Sequence, residues 1–163
     1  MVTFADARDV LKNRMEAVFA EDTFGELYPG IQAPKVYRGF PVEEPPFYVA
    51  VDEIIDTAQS SGAASMGHAR IDFTLRVWCF ARHVKQEVAA DTLLSYVDAV
   101  FMAVLADQRL SMTVDNGFPE IETAGTAADG SKRYAAAASI AVQCHVFSQC
   151  PARIMEVVNA SNG

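Results

Sequence analysis

Cys144 and His145 stand side by side, a nucleophile next to a base, which is the pairing that thiol chemistry needs. Their setting argues against it. The surrounding residues alternate as a strand, and neighbours on a strand point to opposite faces, so the two side chains cannot converge on one substrate. The expected arrangement is a small buried Cys144 beside a surface His145. Cys79 falls in register with the apolar face of its own strand and is expected in the core. His68 opens that strand and His83 lies just beyond it. No two histidines are spaced i, i+4 and no Cys-x-x-Cys occurs, so no zinc site is expected.

Asp52, Glu53 and Asp56 cluster their carboxylates, as an acid–base pair or a weak site for a hard cation would. A strand edge running into a solvated loop accounts for them better. The phosphate-binding Gly-x-x-x-x-Gly-Lys, the dinucleotide Gly-x-Gly-x-x-Gly and the nucleophile-elbow Gly-x-Ser-x-Gly are all absent. The expectation is a non-enzymatic protein with no catalytic residue, no metal and no cofactor.

Composition narrows the class further. The chain has 163 residues, 51% hydrophobic and 21% charged, which suits one globular domain with a sizeable core. The formal charge is −8, a poor balance for gripping phosphates. Arg70, Arg76, Arg82 and Lys85 against Asp72 make residues 61–85 locally basic. That segment is either a strand face complementing acidic neighbours or a contact surface for an acidic partner. Three cysteines without paired spacing fit a reducing compartment. The N-terminus reads as no signal peptide. The longest apolar run, 93–106, is shorter than a bilayer requires and carries Asp98, so no membrane span is expected.

The elements that position these residues follow from periodicity. Phe4, Ala7, Leu11, Met15 and Val18 predict a helix over 4–20, capped by Thr3 with Asp6 completing a capping-box-like start. Gly25, Pro29, Gly30 and Pro34 predict a loop, with a short strand at 35–38. The prolines at 41, 45 and 46 make a stiff connector, so the next strand begins at Phe47 and runs to 55. The small polar residues of 56–67 predict a mobile loop. Residues 68–80 alternate most strongly, Ile71, Phe73, Leu75 and Val77 against Arg70, Asp72, Thr74, Arg76 and Trp78. Leu93, Val97, Val100 and Val104, widened by Leu94, Phe101 and Leu105, predict a helix over 85–107 laid on a sheet. Strands at 111–126 and 133–147 close the chain around an Asp129-Gly130 turn.

The expected fold is α+β: an antiparallel sheet of four or five strands, two helices on one face, in the order α-β-β-α-β-β. One domain over 1–150 carries a C-terminal tail, 151–163. The reverse sheet face then presents Tyr48, Arg70, Arg76, Trp78, Gln143, His145 and Phe147. Aromatics and arginine are enriched at interface centres. With the loop residues Asp56 and Ser60 and the turn residues Asp129 and Lys132, these are the candidate contact residues.

From about Phe4 to Phe147 the layout resembles the tail terminator (tail completion, minor tail) proteins of long-tailed bacteriophages. The resemblance rests on the first amphipathic helix, Val36-Tyr37-Arg38, the run from Pro45 to Val51, the strand 70–80, the helix 91–105 and the hairpin 120–147. It implies an α+β subunit that forms a ring of copies of itself, commonly six, at the head-proximal end of the tail tube. Such a ring stops tube growth and joins a head-completion or neck protein. The implied partners are other copies, the tube protein and the neck protein, with DNA passing the lumen unbound and no membrane involved. The implied location is the virion tail, after synthesis in the bacterial cytoplasm. The connector 41–46, the loop 56–67 and the tail after Pro151 exceed that pattern. Another neck protein, a ligand-binding or enzymatic α+β domain, or a cellular adaptor pairing through its sheet edge stand as the alternatives.

Overall fold

A computed structural model describes residues 4–65, 68–130, 132–149 and 151–162. Helix α1 (Phe4–Val18) buries Ala7, Leu11 and Met15, the face that the sequence spacing marks. The expected Thr3 cap lies outside the described residues. The chain turns at Phe19 into a second helix, α2 (Glu21–Leu27), where a loop is expected. Gly25 makes that stretch read as a breaker. Tertiary packing overrides it: Phe24 is fully buried, its ring against those of Phe19, Tyr28 and Tyr96.

Strands β1 (Lys35–Arg38) and β2 (Phe47–Val51) follow, then β3 (Ala58–Ser65) and β4 (His68–His83). Helix α3 (Gln86–Ala106) leads to β5 (Asn116–Asp129), β6 (Arg133–Gln149) and a terminal helix α4 (Ala152–Ser161). The class is α+β, and the sheet has six strands in the order β1-β2-β4-β6-β5, with β3 on β4.

Two features of the sheet correct the sequence reading. First, β1 pairs with β2 in parallel, so the sheet is mixed. Pro41, Pro45 and Pro46 prevent a tight hairpin, and residues 39–46 carry the chain back before β2 begins. Second, residues 58–65 form a strand within the stretch expected to be a mobile loop. They pair antiparallel with 68–73, on the same β4 edge that β2 occupies further along at 77–81. Ala, Ser and Gly give 58–65 no strand signature of its own, and the unpaired β4 edge supplies its partner. Met66 and Gly67 lie outside the described residues.

The central ladder joins β4 to β6 from His68↔Gln149 to His83↔Tyr134. One face of it carries Phe73, Leu75, Val77, Cys79, Ile140, Val142 and Cys144 into the core, under α1 and α3. Full burial of each Val, Leu or Ile side chain there contributes about 1.5–3 kcal/mol. On α3 the stripe Leu93, Val97, Val100 and Val104 is buried, whereas Leu94 and Leu105 face outward. Ala89, Ala99 and Ala103 widen the stripe instead, small residues that let the helix lie close to the sheet, and the large ring of Tyr96 is buried beside them. By length and composition α3 is long and apolar enough to cross a membrane, contrary to expectation, but half of that stretch is buried inside the fold.

The loop after α3 contains a left-handed turn at Leu110, Ser111 and Met112, with φ of 44°, 54° and 69°. Asp107 holds it by accepting the backbone N–H of Arg109 and Ser111 while pairing with Arg14 of α1. These contacts, with the Ser111 N–H foremost, keep the Asp107 carboxyl below its ordinary range. No residue of α4 is buried.

Candidate functional site: the reverse face of the sheet

The face of the sheet turned away from α1 and α3 has three zones along the strands. At the β2 end it is aromatic. Tyr48 stacks on Phe80 at 4.5 Å, Phe80 on Trp78 at 6.3 Å, and Tyr37 meets Tyr48 edge-on at 6.1 Å. Residues 39–46 cross this patch as a strap. Phe40 rests on Trp78 at 5.5 Å and on Phe80 at 6.3 Å, and Glu44 accepts a 2.8 Å bond from Arg82. Tyr48 is buried, its hydroxyl close to Glu44 but outside ordinary hydrogen-bond geometry among the described residues. Burial, then the charge of Glu44, pushes its pKa up to about 12. A buried hydroxyl without a partner costs about 1–3 kcal/mol. The exposed Arg82–Glu44 pair returns about 0–1 kcal/mol. The half-covered Phe40 ring adds about 1 kcal/mol.

The middle zone is ionic. Arg76 donates to Glu122 at 2.6 and 2.8 Å and to Asp56 at 2.8 Å, with its guanidinium 5.8 Å from the Trp78 ring centre. These bonds raise the Arg76 pKa beyond its already high value. Glu122 lies at an irregularity of β5 between Ile121 and Thr123, which brings its carboxylate within reach of β4.

The third zone is open. Arg70, Asp72, Thr74, Gln143 and His145 floor a concavity of about 360 Å³, with Phe118 at its rim. Arg70 pairs with Asp72 at 2.9 Å. Phe147, opposite Arg70 in the ladder, is 70% exposed.

Of the residues singled out from sequence, Arg70, Arg76, Trp78, His145 and Phe147 share this face. Tyr48 shares it but is covered by its own chain. Asp56 joins the ionic zone. Ser60 is exposed on β3, opposite Ile71. Asp129 and Lys132 belong to the β5–β6 turn, at the other end of the ladder, where Lys132 adopts φ 62°. Sequence reasoning missed Phe40 and Glu122. The prolines around Phe40 signal a connector but not where it lies, and a carboxylate on an irregular strand carries no periodic sign.

The reactive-looking pairs come apart. Cys144 is in the core and His145 on the reverse face. Burial pushes the Cys144 thiol up to about 12 and raises that of Cys79 further, which suits packing and not nucleophilic attack. Asp52 accepts from the Trp78 indole at 3.2 Å, Glu53 from Arg38 at 2.9 Å, and Asp56 from Arg76. Three of the four cations in 61–85 are satisfied within the chain, Arg82 by Glu44.

The lateral edges are less settled. β5 pairs only with β6, so its outer edge is unpaired among the described residues. From Glu120 to Ala128 every residue is exposed. Pro119, Glu120 and Glu122 guard part of this edge, but 123–128 carries neither charge nor proline.

No family model matches the chain, and no curated protein does. Among solved structures it is similar to a chain of the virion of a native gene transfer agent particle. The match has a TM-score of 0.40 at 11% identity, over 88% of this chain and 99% of that one.

Proposed function

We propose that this chain is a non-enzymatic structural protein of a phage-type virion. In this reading it forms a ring at the head-proximal end of the tail tube, ends tube growth and prepares head–tail joining. The observation that carries the assembly is β5. A strand of 14 residues, exposed from Glu120 to Ala128 and unpaired along its outer edge among the described residues, is poorly stabilised in isolation and is a template for another chain. β1 and β3 lie at the opposite lateral edge of the sheet. Contacts between unlike edges of identical subunits are head-to-tail, the kind that closes rings. The sequence resemblance to tail terminators supplies the place of that ring. The formal charge of −8 suits a channel that DNA passes without sticking.

Native mass spectrometry of the full chain, alone and with tail tubes, tests this. A ring-sized species, or binding confined to tube ends, is expected. Ala127→Lys puts a charge on the unguarded edge and is expected to abolish the ring while leaving the circular dichroism unchanged. A monomer that ignores tubes at every concentration overturns the reading.

A further inference from the structure

We propose that β5 of one copy pairs antiparallel with β1 of the next, so that the sheets of neighbouring subunits run into one another. The inference rests on the ring reading above and names the strand that meets β5.

The pairings within the sheet decide between β1 and β3, the two strands on the opposite edge. One row of directly paired residues crosses the sheet from Lys35 through Tyr48, Phe80 and Ala137 to Gly125. A second row runs from Arg38 through Val51, Val77 and Ile140 to Ile121. β1 is therefore level with 121–125, inside the exposed stretch of β5. Rows from β3 arrive elsewhere. That of Ala58 ends at the buried Gly117, that of Gln59 at Asn116, and those of Ser60 and Ser61 meet no residue of β5. In a closed ring every copy sits at one height about the axis, so a row that leaves one sheet enters the next at the same level. That continuation sets β1 against 121–125 and leaves β3 outside it.

Direction and charge agree. β1 runs with β2, β2 and β6 run against β4, and β5 runs against β6. β1 and β5 thus point opposite ways, and rotation about an axis along the strands keeps them so, which makes the joint antiparallel. β1 carries Lys35 and Arg38 and no acid, whereas β5 carries Glu120, Glu122 and Asp129 and no base. Residues 58–65 carry no charge. Pairing β5 with β5 about a two-fold axis sets acid against acid. The β1 edge is exposed at Lys35 and Arg38 and pairs only with β2 among the described residues. One such joint is short and weak, but closure makes the last joint of a ring intramolecular.

Lys35 and Gly125 suit a test. Lys35 is exposed, and a side chain at Gly125 meets nothing within 4 Å. Within one subunit they stand at opposite edges of the sheet, about 19 Å apart, too far for a disulfide. A bond between cysteines at these positions therefore joins two copies. Lys35→Cys with Gly125→Cys is made in a chain carrying Cys150→Ser and oxidised, alone and with tail tubes. A ladder of disulfide-linked multiples is expected on a non-reducing gel. Ser60→Cys with Gly125→Cys is expected to give about ten-fold less. Native mass of the reduced variants shows separately whether the ring forms. A ring without the 35–125 bond, or with the 60–125 bond in its place, overturns this pairing and leaves the ring standing. Absence of any ring removes both. If the variants do not assemble, amide exchange of the unaltered chain carries the test. Assembly is expected to slow exchange about ten-fold at 35–38 and 121–125 and to leave 58–65 unchanged. Slowing at 58–65 in place of 35–38 overturns the pairing.

Discussion

Arg76 on β4 grips Glu122 on β5 across the full width of β6, Nε 2.6 Å from one carboxylate oxygen and Nη2 2.8 Å from the other. Ser139, on the strand between them, donates to the same carboxylate at 3.2 Å. The bond from Arg76 is the main reason that Glu122 stays below its ordinary value of 4.5. An unfolded chain takes up this proton near 4.5, while the folded one resists until lower pH. The stabilisation is therefore complete above 4.5 and is lost as pH falls through the folded value. Glu122→Gln is expected to cost about 1 kcal/mol at neutral pH. It should also flatten the acid limb of a plot of urea midpoint against pH.

The alkaline side has the opposite sign. Tyr28, desolvated and donating to Asp98, has its pKa pushed up to about 12, as does Tyr48 under the strap. Their neutral forms are favoured by folding, so this stability is intact below 10 and lost between 10 and 12. An absorbance titration of the folded protein should show tyrosines ionising late, with midpoints near 12. Asp98→Asn should bring one of them earlier.

Gly117 is buried at the start of β5, where an added Cβ would meet the Gln108 carbonyl oxygen at 3.1 Å. That oxygen belongs to backbone and cannot swing aside. Gly117→Ala is expected to lower stability by about 1–3 kcal/mol in chemical denaturation. Gly125, with open space around it, should accept alanine with far less effect.

The turn at Leu110, Ser111 and Met112 holds three side-chain-bearing residues at positive φ. Each carries a steric cost of about 1–2 kcal/mol that glycine avoids. Met112 is exposed and contributes little packing. Met112→Gly is therefore expected to stabilise the protein by up to about 1 kcal/mol, after the greater entropy of glycine in the unfolded chain is subtracted. A lower thermal midpoint would mean that Met112 makes a contact worth more than its strain.

Strong periodicity was readable in the sequence, and weak or borrowed structure was not. Alternation from Ile71 to Val77 and from Ala138 to Val146 located the central ladder, because a face must stay apolar over many residues to be buried. Likewise the spacing of Leu93, Val97, Val100 and Val104 located α3. The strand at 58–65 is borrowed: its residues have no preference that survives away from β4. Helix α2 depends on Phe24 finding Phe19 and Tyr96, a long-range event invisible in a local window. The alternation of β4 and β6 marks which side chains share the reverse face, but not the connector that crosses it. Nothing in Gly39–Pro46 states which side of the sheet a connector crosses, and that choice makes Tyr48 interior while Phe147 stays outside.

The β4–β6 ladder binds segments that lie on either side of α3 in the chain. During synthesis β4 must wait, its apolar alternation unmatched, until the last third of the polypeptide has emerged. Such non-local pairing is slow to form. The alignment is also decided unevenly. Ala135 to Ala138 present the same methyl group on both sides, so a slip by one position there goes almost unpunished. The half from Ile140 to Phe147, where bulky and polar residues take strict turns, must seat first and pull the alanines into place behind it.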